Sequence, residues 1–239
     1  MSGMVASVGA EWERLRSVVI HRPGIEMFFG LLDPYAVLYE RAFNRYEARR
    51  EHRNLEQTLR EEFGVRVLLL KETILDAADS DPAVRRRLVD WAHETITLRG
   101  SRREVAEARR NMEQNADALD SQHFFTLLLL NPVLEVGRGR TGAGVDVRIV
   151  GQGPLANLYF MRDQQAVTAS GLVTARLAKP QRVRETEITR FLWEILGIPI
   201  VGTLQEPGTF EGGDFMPMGD FALIGTGDRT NSAGIRQFL

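Results

Sequence analysis

Short β-branched runs and longer stretches of helical period take turns along this chain. Leu15-Arg16-Ser17-Val18-Val19-Ile20 is apolar and stops at His21-Arg22-Pro23-Gly24, the pattern of a buried strand ending in a turn. Asp33-Pro34 supplies an N-cap and a proline for the first helical position. Leu55, Leu59 and Phe63 then recur every four residues ahead of Gly64, which predicts one helix reaching Phe63. The Arg- and Glu-rich run from Arg41 to Arg60 reads as its solvated face. Val65 to Leu70 is a second strand, so the opening segment reads strand, helix, strand.

From Lys71 to Leu119 the pattern turns helical. Asp81-Pro82 starts a helix with Val84, Leu88, Trp91 and Ala92 on one face, and a more polar helix follows from about Arg102. Phe124 to Leu130 carries the continuous apolar signature of a buried strand. Further strands are expected at Val145–Val150, Asn157–Met161 and Ala166–Ala175, the last with Gly171 inside it. Ile188, Phe191, Leu192, Ile195 and Leu196 mark an amphipathic helix from Arg184, ended by Gly197. Ile198–Val201 is the next strand, and Thr209–Phe215 with Phe221–Ile224 the following pair. Asn231 or Ser232 caps a last helix with Ile235, Phe238 and Leu239 on its apolar face. A chain stopping inside such a stripe is expected to be a truncated one. The fold class is α/β, divided as 1–70, an inserted helical subdomain at 71–122, and 123–239.

Composition narrows the function more than the fold. Hydrophobic residues are 44% and charged residues 26%, and the formal net charge is −2, so no global field predicts nucleic-acid or membrane binding. No apolar run approaches the roughly 20 residues of a membrane span, no signal-like segment opens the chain, and the cytoplasm is the expected location. There are no cysteines, hence no disulfide or thiolate metal site. The histidines (His21, His52, His93, His123) show no ligand spacing, so neither metal nor cofactor is expected. His21 reads as a turn residue and the other three as surface residues. Gly137, Gly139, Gly142 and Gly144 with Arg138 and Arg140 make a loop of phosphate-cradling type, yet no Lys-Ser/Thr follows.

The candidate chemistry lies in two acidic stretches. Thr209-Phe210-Glu211-Gly212-Gly213-Asp214-Phe215 sets two carboxylates three positions apart around a glycine pair, and Asn157-Leu158-Tyr159-Phe160-Met161-Arg162-Asp163 is its counterpart. Carboxylates beside aromatic residues at strand ends are costly unless a cation neutralises them. A guanidinium, planar and rich in donors, fits paired carboxylates. Two alternatives remain at this point: Asp163 paired internally with Arg162 or another arginine while Glu211 and Asp214 cap turns, or a divalent cation on the same groups. Arg182 follows Asp163 by 19 positions and Arg229 follows Glu211 by 18, and either could hold a substrate carboxylate.

These residues resemble the arginine deiminase family of guanidino-group-modifying enzymes. Leu15–Gly24 looks like the family's first strand and turn, and Asn157–Asp163 is similar to its Asn-Leu-Tyr-Phe-Thr-Arg-Asp motif. Glu211-Gly212-Gly213-Asp214 is identical to the second motif, and Asp228-Arg229-Thr230-Asn231 resembles the third. The resemblance implies a pentein-type α/β-propeller, here incomplete, and hydrolysis of L-arginine to citrulline and ammonia without metal or cofactor. It implies Asp163 and Glu211 as the catalytic carboxylates on the guanidinium. Asn157 and Phe160 would lie at the amino end, Asp214 would line the site, and Arg182 and Arg229 would clamp the α-carboxylate.

The family also uses a cysteine nucleophile, through a thiouronium intermediate, and a histidine acid/base, both later in the sequence than this chain extends. The chain is therefore expected to be inactive alone, with a missing C-terminal portion as one partner. Its open strand edges predict self-association into a homo-oligomer. Gln164 stands where the family usually has proline and is expected to loosen the turn after Asp163. A non-catalytic guanidine-binding or regulatory protein is the alternative, as is an agmatine deiminase or an amidinotransferase-type fragment. The paired arginines favour a substrate with a carboxylate.

Overall fold

The computed structural model describes residues 5–139 and 144–239 of the chain. Arg140 and Gly142 of the glycine-rich loop lie outside the described residues. The chain forms two compact units, one of Met1–Gly24, Arg41–Thr73 and Asn157–Leu239, the other of Ile25–Glu40 and Ile74–Ala156.

In the first unit, β1 (Ser17–Ile20) pairs in parallel with β2 (Arg66–Leu69). Leu59 packs on their buried side against Ile20, Val65 and Val67. It comes from α2 (Arg45–Glu61), whose N-cap Asn44 accepts from the Tyr46 and Glu47 amides. That helix is shorter than the spacing predicts. Asp33-Pro34 opens only a 3₁₀ turn at Tyr35–Val37, closed by Leu38 in the left-handed region, and a local cap cannot carry a helix without an apolar stripe.

The predicted strand at Ala166–Ala175 is a hairpin of β6 (Gln165–Thr168) and β7 (Gly171–Thr174), and β8 (Ile200–Thr203) joins β7 in parallel. Gly171 permits the bend at φ +134°, where a side chain would also strike Val201. Between β7 and β8 runs α7 (Glu185–Ile195), as its periodicity predicts, with Ile188 and Leu192 fully buried. Trp193 Nε1 donates to Gln165 Oε1 at 3.3 Å and ties it to β6. The pair β9 (Phe215–Pro217) and β10 (Ala222–Ile224) is antiparallel, and α8 (Ser232–Phe238) is capped by Asn231. Phe238 stacks on Phe210 at 4.6 Å.

The second unit holds α1 (Ile25–Gly30), most of α3 (Leu70–Ser80), α4 (Pro82–Thr95), α5 (Arg102–Asn115) and α6 (Ser121–Leu130). Its sheet is ordered β3 (Thr97–Arg99), β4 (Pro132–Arg138), β5 (Val145–Gln152). The expected strand at Phe124–Leu130 is thus α6. An uninterrupted apolar run carries no period, and here Phe124, Phe125, Leu128 and Leu129 are buried on a helix capped by Asp120. His52 and His93 are partly buried rather than surface residues, and burial lowers the pKa of both. Among the described residues no helix is long and apolar enough to cross a membrane.

Candidate functional site

Both acidic stretches fall in irregular backbone of the first unit. Asn157–Met161, expected as a strand, is a chain of turns: the Phe160 amide donates to Asn157 O and the Asp163 amide to Phe160 O. Asp163 therefore sits at the entry of β6 rather than at the end of a strand. Of Thr209–Asp214 only Phe210 makes a strand-like bridge, to Arg176, and Phe215 opens β9. Gly212–Asp214 is a 3₁₀ turn leading into β9.

The glycines explain how the two stretches meet. The Gly212 amide donates to Asp163 O at 2.9 Å. A Cβ on Gly212 would stand 1.9 Å from Gln165 O and 2.2 Å from Arg162 O, and one on Gly213 would stand 2.7 Å from Asp163 Oδ1. Only glycine allows this approach, whatever its φ.

The side chains converge on Arg182, which the 3₁₀ turn Pro180–Arg182 places before α7. Its Nη1 lies 3.0 Å from Asp163 Oδ2 and 3.6 Å from Glu211 Oε1, so both carboxylates share one nitrogen. Its Nε and Nη2 grip Glu185, fully buried in the first turn of α7, at 2.8–3.2 Å. Gln164 Nε2 donates to Glu185 Oε2 at 2.7 Å. Gln164 is itself fully buried, so it braces the turn rather than loosening it. Arg229 Nη1 meets Glu211 Oε1 at 3.2 Å. The Thr230 hydroxyl donates to Asp214 Oδ2 at 2.6 Å and accepts from the Glu211 amide, which links Asp214 to the cluster. The exposed Phe160 ring lies 5.9 Å from the Arg182 guanidinium, and Asn157 is buried.

Among the described residues, Asp163 Oδ1 and Glu211 Oε2 accept no hydrogen bond from the chain. Burial pushes the Glu211 carboxyl above its ordinary range and the nearby Asp163 adds to this, against Arg182 and Arg229. Burial likewise raises Glu185. Burial works against the charge of Arg182 as well, but Glu185 and Asp163 outweigh it and hold the guanidinium firmly protonated. No group of three or more His, Asp or Glu among the described residues is placed to hold a metal ion.

The internal pairing left open by the sequence is present in part. Asp163 has an arginine partner, but it is Arg182; Arg162 turns to Glu11 and to Phe215 O. Of the residues read from the sequence, Asp163, Glu211, Arg182 and Arg229 meet directly, Asp214 joins through Thr230, and Phe160 lies beside Arg182. Glu185 was not foreseen, because a glutamate in the first turn of an amphipathic helix reads as a solvated dipole partner.

Comparison with known proteins agrees with this picture. The family model described as arginine deiminase matches residues 35–239. An arginine deiminase of Halobacterium salinarum is 26% identical, the match covering 90% of this chain and 51% of that protein. One of Streptococcus sanguinis is also 26% identical, over 100% of this chain and 60% of that one. The chain thus spans between half and three-fifths of the length of these relatives. A solved structure of a dimethylarginine dimethylaminohydrolase from Pseudomonas aeruginosa, a C249S mutant with citrulline, shares the mixed α/β fold. That match has TM-score 0.50 and 16% identity, over 95% of this chain and 56% of that one. With a family match across most of its length and the family's acidic stretches gathered on one cluster, the chain belongs to the arginine deiminase family.

Proposed function

We propose that this chain is the guanidinium-recognition part of an arginine deiminase-type hydrolase, a C–N hydrolase acting on amidines that converts L-arginine and water to citrulline and ammonia. The observation that carries this is the convergence of Asp163 and Glu211 on one guanidinium nitrogen, Arg182 Nη1, which shows that the two carboxylates are spaced to share a planar cation. With every group ionised, Asp163, Glu185 and Glu211 against Arg182 and Arg229 leave a formal −1 (−3 + 2), and Asp214 makes it −2; burial, which raises the Glu185 and Glu211 carboxyls, opposes that charge. A bound guanidinium supplies positive charge and donates to both carboxylates. In this reading Arg229, 36% exposed, meets the α-carboxylate. Arg182 helps only once a ligand relieves it at Asp163. Asn157 and Phe160 lie toward the amino end, and Asp214 lines the site.

The chain has no cysteine, so in this reading it binds substrate and the thiolate comes from a polypeptide it lacks. The propeller organisation, the 1–70, 71–122 and 123–239 segmentation and a cytoplasmic location belong to the same proposal. Calorimetry tests it: L-arginine binds, Asp163→Asn and Glu211→Gln each weaken it by about tenfold or more, and the chain alone makes no citrulline. Absence of arginine binding in a folded chain overturns the reading. Binding that no added C-terminal segment converts to turnover favours the non-catalytic guanidine-binding alternative.

A further inference from the structure

We propose that β5 is a self-complementary edge through which two copies of this chain pair. The proposal is independent of the guanidinium site. It rests on the alternation in Val145-Asp146-Val147-Arg148-Ile149 and on the place of β5 at the edge of its sheet.

In the β4–β5 register, Val136 faces Val147 and Leu134 faces Ile149 on one side, while Glu135 faces Arg148 and Gly137 faces Asp146 on the other. Val136 is buried, yet Val147 is 52% and Ile149 69% exposed. The apolar side of the sheet therefore continues to its edge without being covered there. An edge strand presents a row of unpaired backbone groups to another strand, and the regular part of β5, Val145 to Ile149, lies before the irregularity opposite Val133 and Leu134.

An antiparallel pairing of two β5 strands centred on Val147 sets Val147 opposite its counterpart and Val145 opposite Ile149. It also sets Asp146 opposite Arg148 in both halves. Each polar row then reads Glu135–Arg148–Asp146 of the second copy, continuing the Glu135–Arg148 pair already present. Neighbouring registers fail. A one-residue slip puts valine beside arginine on the same face. A slip by two sets arginine against arginine in one direction and aspartate against aspartate in the other. Of these registers only the one centred on Val147 satisfies both faces, and like every antiparallel pairing of identical strands it has the twofold symmetry of a closed dimer.

The absence of cysteine makes the register readable. Val147→Cys is expected to form a disulfide-linked dimer under mild oxidation, because directly opposed Cβ atoms across an antiparallel pair lie within bonding reach. Val145→Cys and Ile149→Cys should crosslink poorly alone and efficiently when mixed. Equal crosslinking by all three, or none by a folded Val147→Cys, overturns the register. Sedimentation of the cysteine-free chain gives a second reading. Asp146→Arg should weaken the dimer at least tenfold, because it sets arginine against Arg148 of the second copy, whereas Asp146→Glu should keep it. A wild-type chain that stays monomeric into the high-micromolar range, or a dimer unaffected by Asp146→Arg, sinks the proposal.

Discussion

Two arginine–carboxylate clusters in the first unit use the same residue types to different ends. In one, Arg22 meets Glu56 at 2.6 Å and Glu72 at 3.1 Å, and Arg60 meets Glu56 at 3.1 Å. Two arginines face two glutamates, the charges cancel, and Arg22, Arg60 and Glu72 are 38–45% exposed. In the other, Arg182 is 5% exposed and stands among three carboxylates that are 1–19% exposed. The first cluster joins α2, β2 and α3 and asks for nothing more. The second is largely buried and sets three carboxylates and one arginine in close contact, with Arg229 at its exposed rim, so its charges are balanced less evenly than those of the first.

The hardest way to break that contrast is to remove the buried arginine. Arg182→Ala leaves Asp163, Glu185 and Glu211 facing one another, and losing one partner of a buried pair costs about 3–5 kcal/mol. Denaturant unfolding should show a large loss of stability, and a loss under 1 kcal/mol would mean that water already reaches these carboxylates. Next comes Gly212→Ala. Its new methyl meets two backbone carbonyls at 1.9 and 2.2 Å, so Asp163 and Glu211 must separate. We expect a loss of about 1–3 kcal/mol together with loss of arginine binding. A variant of unchanged stability and binding would show that this close approach does not matter.

A subtler test separates charge from packing. The Glu211 carboxyl titrates above its ordinary value of 4.5 because burial and Asp163 disfavour its charge. A raised folded-state pKa means that the native state holds this proton more tightly than the unfolded state does. The associated stability is present at low pH and lost as pH rises through the folded-state value. Glu211→Gln has no such loss, so at neutral pH it should melt a few degrees above the wild type, about 2 °C. The gap should close below about pH 4.5. The same variant should lose arginine binding. A melting temperature lower than wild type at neutral pH would show that the ties to Arg182 and Arg229 outweigh the burial cost.

The site was more legible in the sequence than the elements carrying it. Asp163 and Glu211 stand out because acidic groups next to glycine and aromatic residues have few structural reasons to exist, whereas Arg182 and Arg229 read as solvated arginines and enter only through the family resemblance. Phe124–Leu130 misleads because seven residues rich in leucine satisfy a strand and a helix equally, and only the Asp120 cap decides. Asn157–Met161 misleads for the opposite reason. Its aromatic residues suggest a strand, but the hydrogen bonds of Phe160 and Asp163 close on their own neighbours. Nothing in Gln164 or Glu185 alone signals their contact, which depends on where the start of α7 meets the entry of β6. Such a meeting is set by tertiary packing, and no local pattern records it.

The smallest effect expected lies in the balanced cluster, and it calibrates the others. Arg22→Ala removes an arginine whose side chain is 38% exposed, and its partner Glu72 is 45% exposed. Exposed pairs contribute roughly 0.2–1 kcal/mol, because water and salt screen them and the long side chains lose freedom on pairing. Glu56 keeps Arg60 as a partner, so no unpaired buried charge remains to enlarge the loss. The destabilisation should therefore fall below about 1 kcal/mol, shrink further in high salt and leave arginine binding intact. If Arg22→Ala instead matched Arg182→Ala in cost, exposure and charge balance would not be what separates the two clusters. The reading of the Arg182 cluster as a site awaiting a cation would then lose its internal control.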